Sequence, residues 1–102
     1  MEIYSTRVFD RWFAQLKDRK AKANIEARLR RITLGGNLGD CEAISNNISE
    51  LRIDYGPGYR VYLARQGETV VILLAGGNKA SQARDINKAK MMVAAGFEED
   101  EQ

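Results

Sequence analysis

The sequence predicts an α+β domain of order β-α-α-β-β-β-α, on three observations. Apolar residues recur at helical spacing through the first third of the chain. Between residues 49 and 75 the period drops to two, and glycine-bearing turns separate the segments. Beyond Gly76-Gly77-Asn78 the helical period returns. Strands joined by short turns imply a small, twisted, mostly antiparallel sheet, with a helical hairpin before it and one helix after it.

Glu2-Ile3-Tyr4 is a short β-prone opening, and Ser5-Thr6 offers hydroxyls to the free amides of a first helical turn. Val8, Phe9, Trp12, Phe13 and Leu16 then mark one face of a helix from about residue 6 to 18, a core stripe rather than a base-stacking platform. A second helix is expected from about Lys20 to Leu34, with Ala21, Ile25, Leu29 and Ile32 on one side. Arg28, Arg30 and Arg31 crowd its last turn, where cations suit the helix dipole, and Gly35-Gly36 stops it. Residues 35–47 carry turn formers without periodicity and read as a loop.

Leu51, Ile53 and Tyr55 alternate with Glu50, Arg52 and Asp54, as in a half-buried strand from Ser49 to Tyr55. Gly56-Pro57-Gly58 makes a turn, because proline presets its φ and glycine accepts a positive one. Tyr59 to Ala64 alternates again, Gln66-Gly67-Glu68 turns, and Thr69 to Ala75 is nearly continuous in apolar, β-branched residues, the mark of a strand covered on both faces. The last helix is expected from about Ala80 to Ala95 with Ala83, Ile86, Ala89 and Val93 inward. Gly96 then serves as a left-handed C′ residue and Phe97 as its hydrophobic contact. Residues 1–97 thus read as one domain, and 98–102 as an acidic, disordered tail.

Several function classes are excluded by composition. The chain contains no histidine, which removes Ser-His-Asp triads, histidine zinc sites and the usual near-neutral acid/base. Its single cysteine, Cys41, forms no internal disulfide and no thiolate cluster, and is read as a small, at least half-buried residue. No phosphate-binding glycine loop of the GxxxxGK[ST] or GxGxxG kind is present. Charges interrupt any apolar region in the first twenty residues, and the longest apolar run, Val70 to Ala75, is too short to span a bilayer. Cytoplasm is the expected location, without membrane attachment, cofactor or metal, and the Asn47-Ile48-Ser49 sequon is a chance match. The net charge of +2 understates the basic character of the body, because Glu98, Glu99, Asp100 and Glu101 sit together at the end. Residues 1–34 alone hold nine Lys/Arg against four Asp/Glu, a balance that either attracts polyanions or keeps a small domain soluble.

What remains for chemistry is a set of cations on strands. Arg52 and Arg60 flank the Gly56-Pro57-Gly58 turn in the polar phase of their strands, so a hairpin brings them to one face, with Tyr62 in phase with Arg60. Lys79 precedes the last helix, whose free amides also favour an anion. Together these groups form a phosphate-sized patch, and arginine suits it because its planar fork donates two parallel bonds. The plainer reading of each group alone is a solvated side chain.

The run Ser49-Glu50-Leu51-Arg52-Ile53-Asp54-Tyr55-Gly56-Pro57-Gly58-Tyr59-Arg60-Val61-Tyr62 resembles the HigB-like, phage-derived Gp49-like branch of the RelE/ParE toxin superfamily. So do Gly76-Gly77-Asn78-Lys79-Ala80-Ser81-Gln82-Ala83-Arg84-Asp85-Ile86 and the opening Phe9-Asp10-Arg11-Trp12, and the resemblance covers about residues 2–95. The Gly-Tyr-Arg step is shared across the superfamily. The Gly-Gly-Asn-Lys-x-Ser-Gln stretch is more particular to this branch, where an aspartate often replaces Asn78.

The resemblance implies a RelE/ParE-like fold and the toxin of a type II toxin-antitoxin system. Such a toxin is a ribosome-associated endoribonuclease that cleaves messenger RNA by metal-independent attack of a 2′-hydroxyl. It implies a cognate antitoxin, typically a helix-turn-helix, HigA-like protein through which operator DNA is bound. Arg60 matches the superfamily's phosphate-contacting arginine, Arg52 falls where RelE-type toxins carry a basic strand residue, and Lys79 falls near a second transition-state cation. Tyr62, Ser81, Arg28 and Arg31 are the expected RNA contacts. Arg28, Arg30 and Arg31 equally suit acidic antitoxin residues or a solvated helix end.

Many RelE-like toxins carry a Tyr or His late in the chain for proton transfer; here that region offers Asp85, Lys88 and the acidic tail. Asp85 is a candidate base or a structural ion pair with Arg84 and Lys88, and Lys79 a candidate donor if the fold desolvates it. Two other readings share the fold: a ParE-type gyrase-binding toxin, and a non-toxic antitoxin-binding or operon-regulating subunit.

Overall fold

Thr6 starts the first helix by the means its hydroxyl suggests: its side chain accepts from the Phe9 amide, and it reaches back to the Leu73 and Leu74 carbonyls. In the computed structural model, which describes residues 1–45 and 47–96, strand β1 (Glu2–Ser5) leads into helix α1 (Arg7–Gln15). Helix α1 stops short of residue 18 because Asp18 is already the cap of the next helix, accepting from the Lys20 and Ala21 amides. Helix α2 (Arg19–Gly35) ends on Gly36 at φ 71, as the Gly-Gly stop requires.

Strands β2 (Cys41–Ala43), β3 (Ile48–Ile53), β4 (Tyr59–Gln66) and β5 (Val70–Asn78) follow, then a 3-10 turn (Lys79–Ser81) and helix α3 (Gln82–Ala94). The sheet order is β1-β5-β4-β3-β2, with β1 parallel to β5 and the other pairs antiparallel. The fold is α+β, with a five-stranded mixed sheet and three helices.

Beyond the early end of α1, β3 ends at Ile53 rather than Tyr55, α3 begins at Gln82 rather than Ala80, and two further segments differ from those read in the sequence. Strand β2 lies in what was expected to be a loop: it is a three-residue edge strand laid on β3, Cys41 opposite Leu51, too short to show alternation. Strand β5 runs on through Gly76 and Gly77 to Asn78, so these glycines are strand residues rather than a turn. Their missing side chains admit neighbours, since a Cβ on Gly76 would overlap the Trp12 ring.

The sheet is covered on both sides. Phe9, Ala21, Ile25 and Ile32 from α1 and α2 pack on Leu51, Ile53, Val61, Leu63, Val71 and Leu73. On the opposite face, Ala89 and Met92 of α3 cover Ile48, Tyr62, Ala64, Ile72, Leu74 and Ala75. Strand β5 contributes to both clusters, as its continuous apolar run requires. The inward stripe of α3 is rotated from the expected one: Asp85, Ala89 and Met92 are buried, Ile86 and Val93 are partly so, and Ala83 is exposed. An apolar pattern could not show this, because the residue turned inward is an aspartate. Phe97 and the acidic tail fall outside the described residues.

Arg28, expected at an RNA or antitoxin surface, is a structural clamp instead. It is 8% exposed, and its guanidinium donates to the carbonyls of Leu38, Asp40 and Arg52 at 2.7–2.9 Å. One planar cation thereby ties α2 to the segment before β2 and to β3. Among the described residues no helix is long and apolar enough to cross a membrane.

Candidate functional site

The strand register arranges the candidate residues in rows on the α3-covered face. Arg52 stands opposite Arg60, and Arg60 opposite Gly77. Residues directly opposite share a face with Cβ atoms about 5 Å apart, so the two arginines are neighbours, as the hairpin argument expected. At Gly77 a Cβ would overlap Asp85 Oδ2, so the Asp85 carboxylate occupies the space a β5 side chain would take. The row therefore reads Arg52, Arg60, Asp85 across three strands. Lys79 stands at its end: the position of a Cβ on Gly58 is 3.8 Å from Lys79 Cβ and 3.9 Å from Arg60 Nη1.

The two guanidinium groups differ in their commitments. Arg52 Nη2 pairs with Glu42 at 2.6 Å, and its Nε lies 3.7 Å from Glu50. Glu42 is exposed, and a surface ion pair of this kind is worth about 0–1 kcal/mol, so an incoming anion can replace it. The Arg60 side chain is 14% exposed; its Nε faces Glu50 at 3.9 Å and its Nη1 makes one long bond, 3.5 Å, to the Tyr59 carbonyl. Lys79 is exposed, so the fold does not supply the desolvation that would favour it as a proton donor.

Three further expectations meet different surroundings. Tyr62 is fully buried under α3 and has no surface on which a base could stack. Ser81 is committed to the fold: its hydroxyl accepts from the Asn78 amide in a capping box and is 2.5 Å from Asp85 Oδ2. Asp85 is buried with Ser81 and has Arg84 at 4.0 Å, in place of a surface pair with Lys88. Arg31 is exposed on α2, on the other side of the sheet from the arginine row, as Arg28 is.

The sequence reading missed two parts of the site. Glu50, in the polar phase of a strand read as half-solvated, is 1% exposed and lies opposite Tyr62 in the next row. The available signal was its i, i+2 relation to Arg52, which puts both on one face. The second is a groove of about 1030 Å³ between α1 and α3, floored by Ala75–Asn78 and carrying Arg11, Arg84 and Lys88. It depends on α1 and α3 flanking β5, which no local pattern encodes. Among the described residues, no His/Cys/Asp/Glu group is arranged to hold a metal ion.

Burial and the negative charge of Glu50 push the Tyr62 phenol well above its ordinary value. A raised folded-state pKa favours the protonated phenol, so this contribution is complete below about pH 10, where an unfolded tyrosine ionises, and is lost as pH rises beyond it. Tyr62 is expected to ionise only as the protein unfolds, giving a step in absorbance at 295 nm that coincides with loss of circular dichroism. In Tyr62→Phe that step shrinks by one tyrosine, because burial also raises the Tyr59 phenol. Reversible ionisation of every tyrosine with the dichroism intact contradicts this.

Comparison with known proteins agrees with the arrangement of motifs. Residues 11–95 match the family described as phage-derived protein Gp49-like (DUF891). An uncharacterized protein of Haemophilus influenzae (strain Rd) is 48% identical over 92 residues, which cover 90% of this chain and 92% of the relative. The chain belongs to the phage-derived Gp49-like family, within the RelE/HigB-like toxin superfamily.

Proposed function

We propose that this protein is the toxin of a type II toxin-antitoxin module and that it cleaves messenger RNA on the ribosome. Family membership supports the toxin assignment. The observation that carries the nuclease reading is the register pairing of Arg52 with Arg60 beside Lys79, a concentration of donors suited to one phosphodiester.

In this reading the 2′-oxygen of one nucleotide forms a bond to the adjacent phosphorus as the bond from phosphorus to the 5′-oxygen breaks. Arg60 binds the non-bridging oxygens and stabilises the charge that builds on them; Lys79 adds an exposed point charge at the same end. Arg52 joins when the phosphate replaces Glu42. Asp85, at the end of the row, takes the 2′-hydroxyl proton once Ser81 yields its hydrogen bond, and a solvent water supplies a proton to the leaving oxygen. Flanking phosphates follow the groove past Arg11, Arg84 and Lys88. A helix-turn-helix, HigA-like antitoxin silences the toxin and carries the complex to operator DNA, and Arg30 and Arg31 are exposed for its acidic residues.

The products test this chemistry. With ribosomes translating a defined message, the upstream fragment should end in a 2′,3′-cyclic phosphate and the downstream fragment in a 5′-hydroxyl. A downstream 5′-phosphate rules out 2′-hydroxyl attack.

A further inference from the structure

We infer that Glu50 is the positioning carboxylate of the arginine pair, holding Arg52 and Arg60 by their Nε edges so that their Nη ends face an incoming phosphate. The inference rests on the nuclease reading for its consequence but on geometry for its premise. Two arginines directly opposite on adjacent strands repel each other, and such like-charged pairs are destabilising unless something intervenes. What intervenes is Glu50 Oε1, 3.7 Å from Arg52 Nε and 3.9 Å from Arg60 Nε. Both Nε atoms are buried without a hydrogen-bond partner among the described residues, so this carboxylate is the charge they face.

The other oxygen of the same group fixes it in place. Glu50 Oε2 accepts from Gln82 Nε2 at 2.7 Å, and Gln82 is the first residue of α3. The seating of α3 and the aim of both arginines are thereby joined through one side chain that is 1% exposed. Glu50 by itself leaves one positive charge over on the pair; the exposed Glu42 takes it up at Arg52, and a phosphate that displaces Glu42 meets that charge. Because Glu50 meets the arginines at Nε, it leaves their Nη ends to other partners: the exposed Glu42 on Arg52 and one long bond to the Tyr59 carbonyl on Arg60, both replaceable by a phosphate.

The test separates positioning from simple electrostatics. Glu50→Gln keeps the shape and a Gln82 contact but removes a negative charge from a phosphate site. Electrostatics alone then predicts RNA binding that is unchanged or tighter. Positioning predicts, in addition, a cleavage rate at saturating message lower by about 100-fold, the usual cost of misplacing a reacting group by about 1 Å. Glu50→Asp, which restores the charge on a shorter arm, should recover part of the rate, and Gln82→Ala should lose part of it.

A Glu50→Gln protein that binds RNA and cleaves at the wild-type rate overturns the inference. Should the wild type itself not cleave, the nuclease reading fails, and positioning is judged by nitrogen-resolved NMR of the arginine Nε–H groups. Sharp, slowly exchanging Arg52 and Arg60 signals that broaden in Glu50→Gln support it; identical signals in both proteins refute it.

Discussion

Replacing Arg60 with alanine is expected to slow message cleavage by about 100- to 1000-fold, the range seen when one preorganised donor to a developing oxyanion is removed. The expectation comes from the asymmetry of the arginine pair. Arg52 is shared between Glu42 and Glu50, whereas Arg60 makes a single long hydrogen bond and stands nearer Lys79. Arg60 is therefore the guanidinium with fewer carboxylate commitments, although its side chain is the less exposed, 14% against 34% for Arg52. The same sparse bonding makes the fold tolerant of its loss, so Arg60→Ala should unfold cooperatively within a few degrees of the wild type. Arg60→Lys keeps the charge without the planar fork and should fall between the two. Undiminished cleavage by a folded Arg60→Ala protein removes the site as proposed.

The second large effect concerns stability. Arg28→Ala is expected to cost about 3 kcal/mol, because three carbonyl acceptors, those of Leu38, Asp40 and Arg52, lose charged donors in a part-buried setting. For a domain of this size each kcal/mol moves Tm by about 4–8 °C, so the melting point should drop by about 12–24 °C. Arg28→Lys should rescue little, since one ammonium cannot bridge carbonyls on two segments with the geometry of a fork. Because the clamp also holds the Arg52 backbone, the loss should weaken the β2 edge first, visible as faster amide exchange at Cys41–Ala43. A Tm unchanged within 3 °C contradicts the clamp.

Arg28 also shows where sequence reading reaches its limit. Its neighbours Arg30 and Arg31 are exposed as expected, and all three look alike in a basic helix end. Which of them turns inward depends on where the chain returns after Gly36, and that is a long-range fact. The main elements were legible because each carries its own period or punctuation: the Thr6 cap, the Gly36 stop, and alternation in β3 and β4. The pairing of Arg52 with Arg60 was legible for the same reason, since the turn between them fixes the register.

Glu50, Tyr62 and Asp85 were misjudged on a shared assumption, that polar residues on a strand or helix face water. Helix α3 covers the polar phase of β3 and β4, and it tolerates these groups because they lie beside one another: Glu50 with both arginines and Gln82, Asp85 with Ser81. A buried polar layer of this kind is invisible to hydrophobic periodicity. Its glycine counterpart was visible without being interpretable, because Gly76 and Gly77 read as a turn until the helices that press against them are known.

The fold and the Gly-Tyr-Arg step would also serve a toxin that binds gyrase, and a subunit that only binds its antitoxin would keep both. These readings part in the cell: gyrase poisoning damages DNA and leaves messages intact, and a silent subunit leaves growth unaffected. Sequencing the 5′ ends of messages shortly after induction, with wild type and Arg60→Ala side by side, separates all three. The proposed site predicts discrete new 5′-hydroxyl ends within coding regions for the wild type, absent in the folded Arg60→Ala protein. Growth arrest by the wild type with messages uncut, or the same cuts made by both proteins, would contradict it.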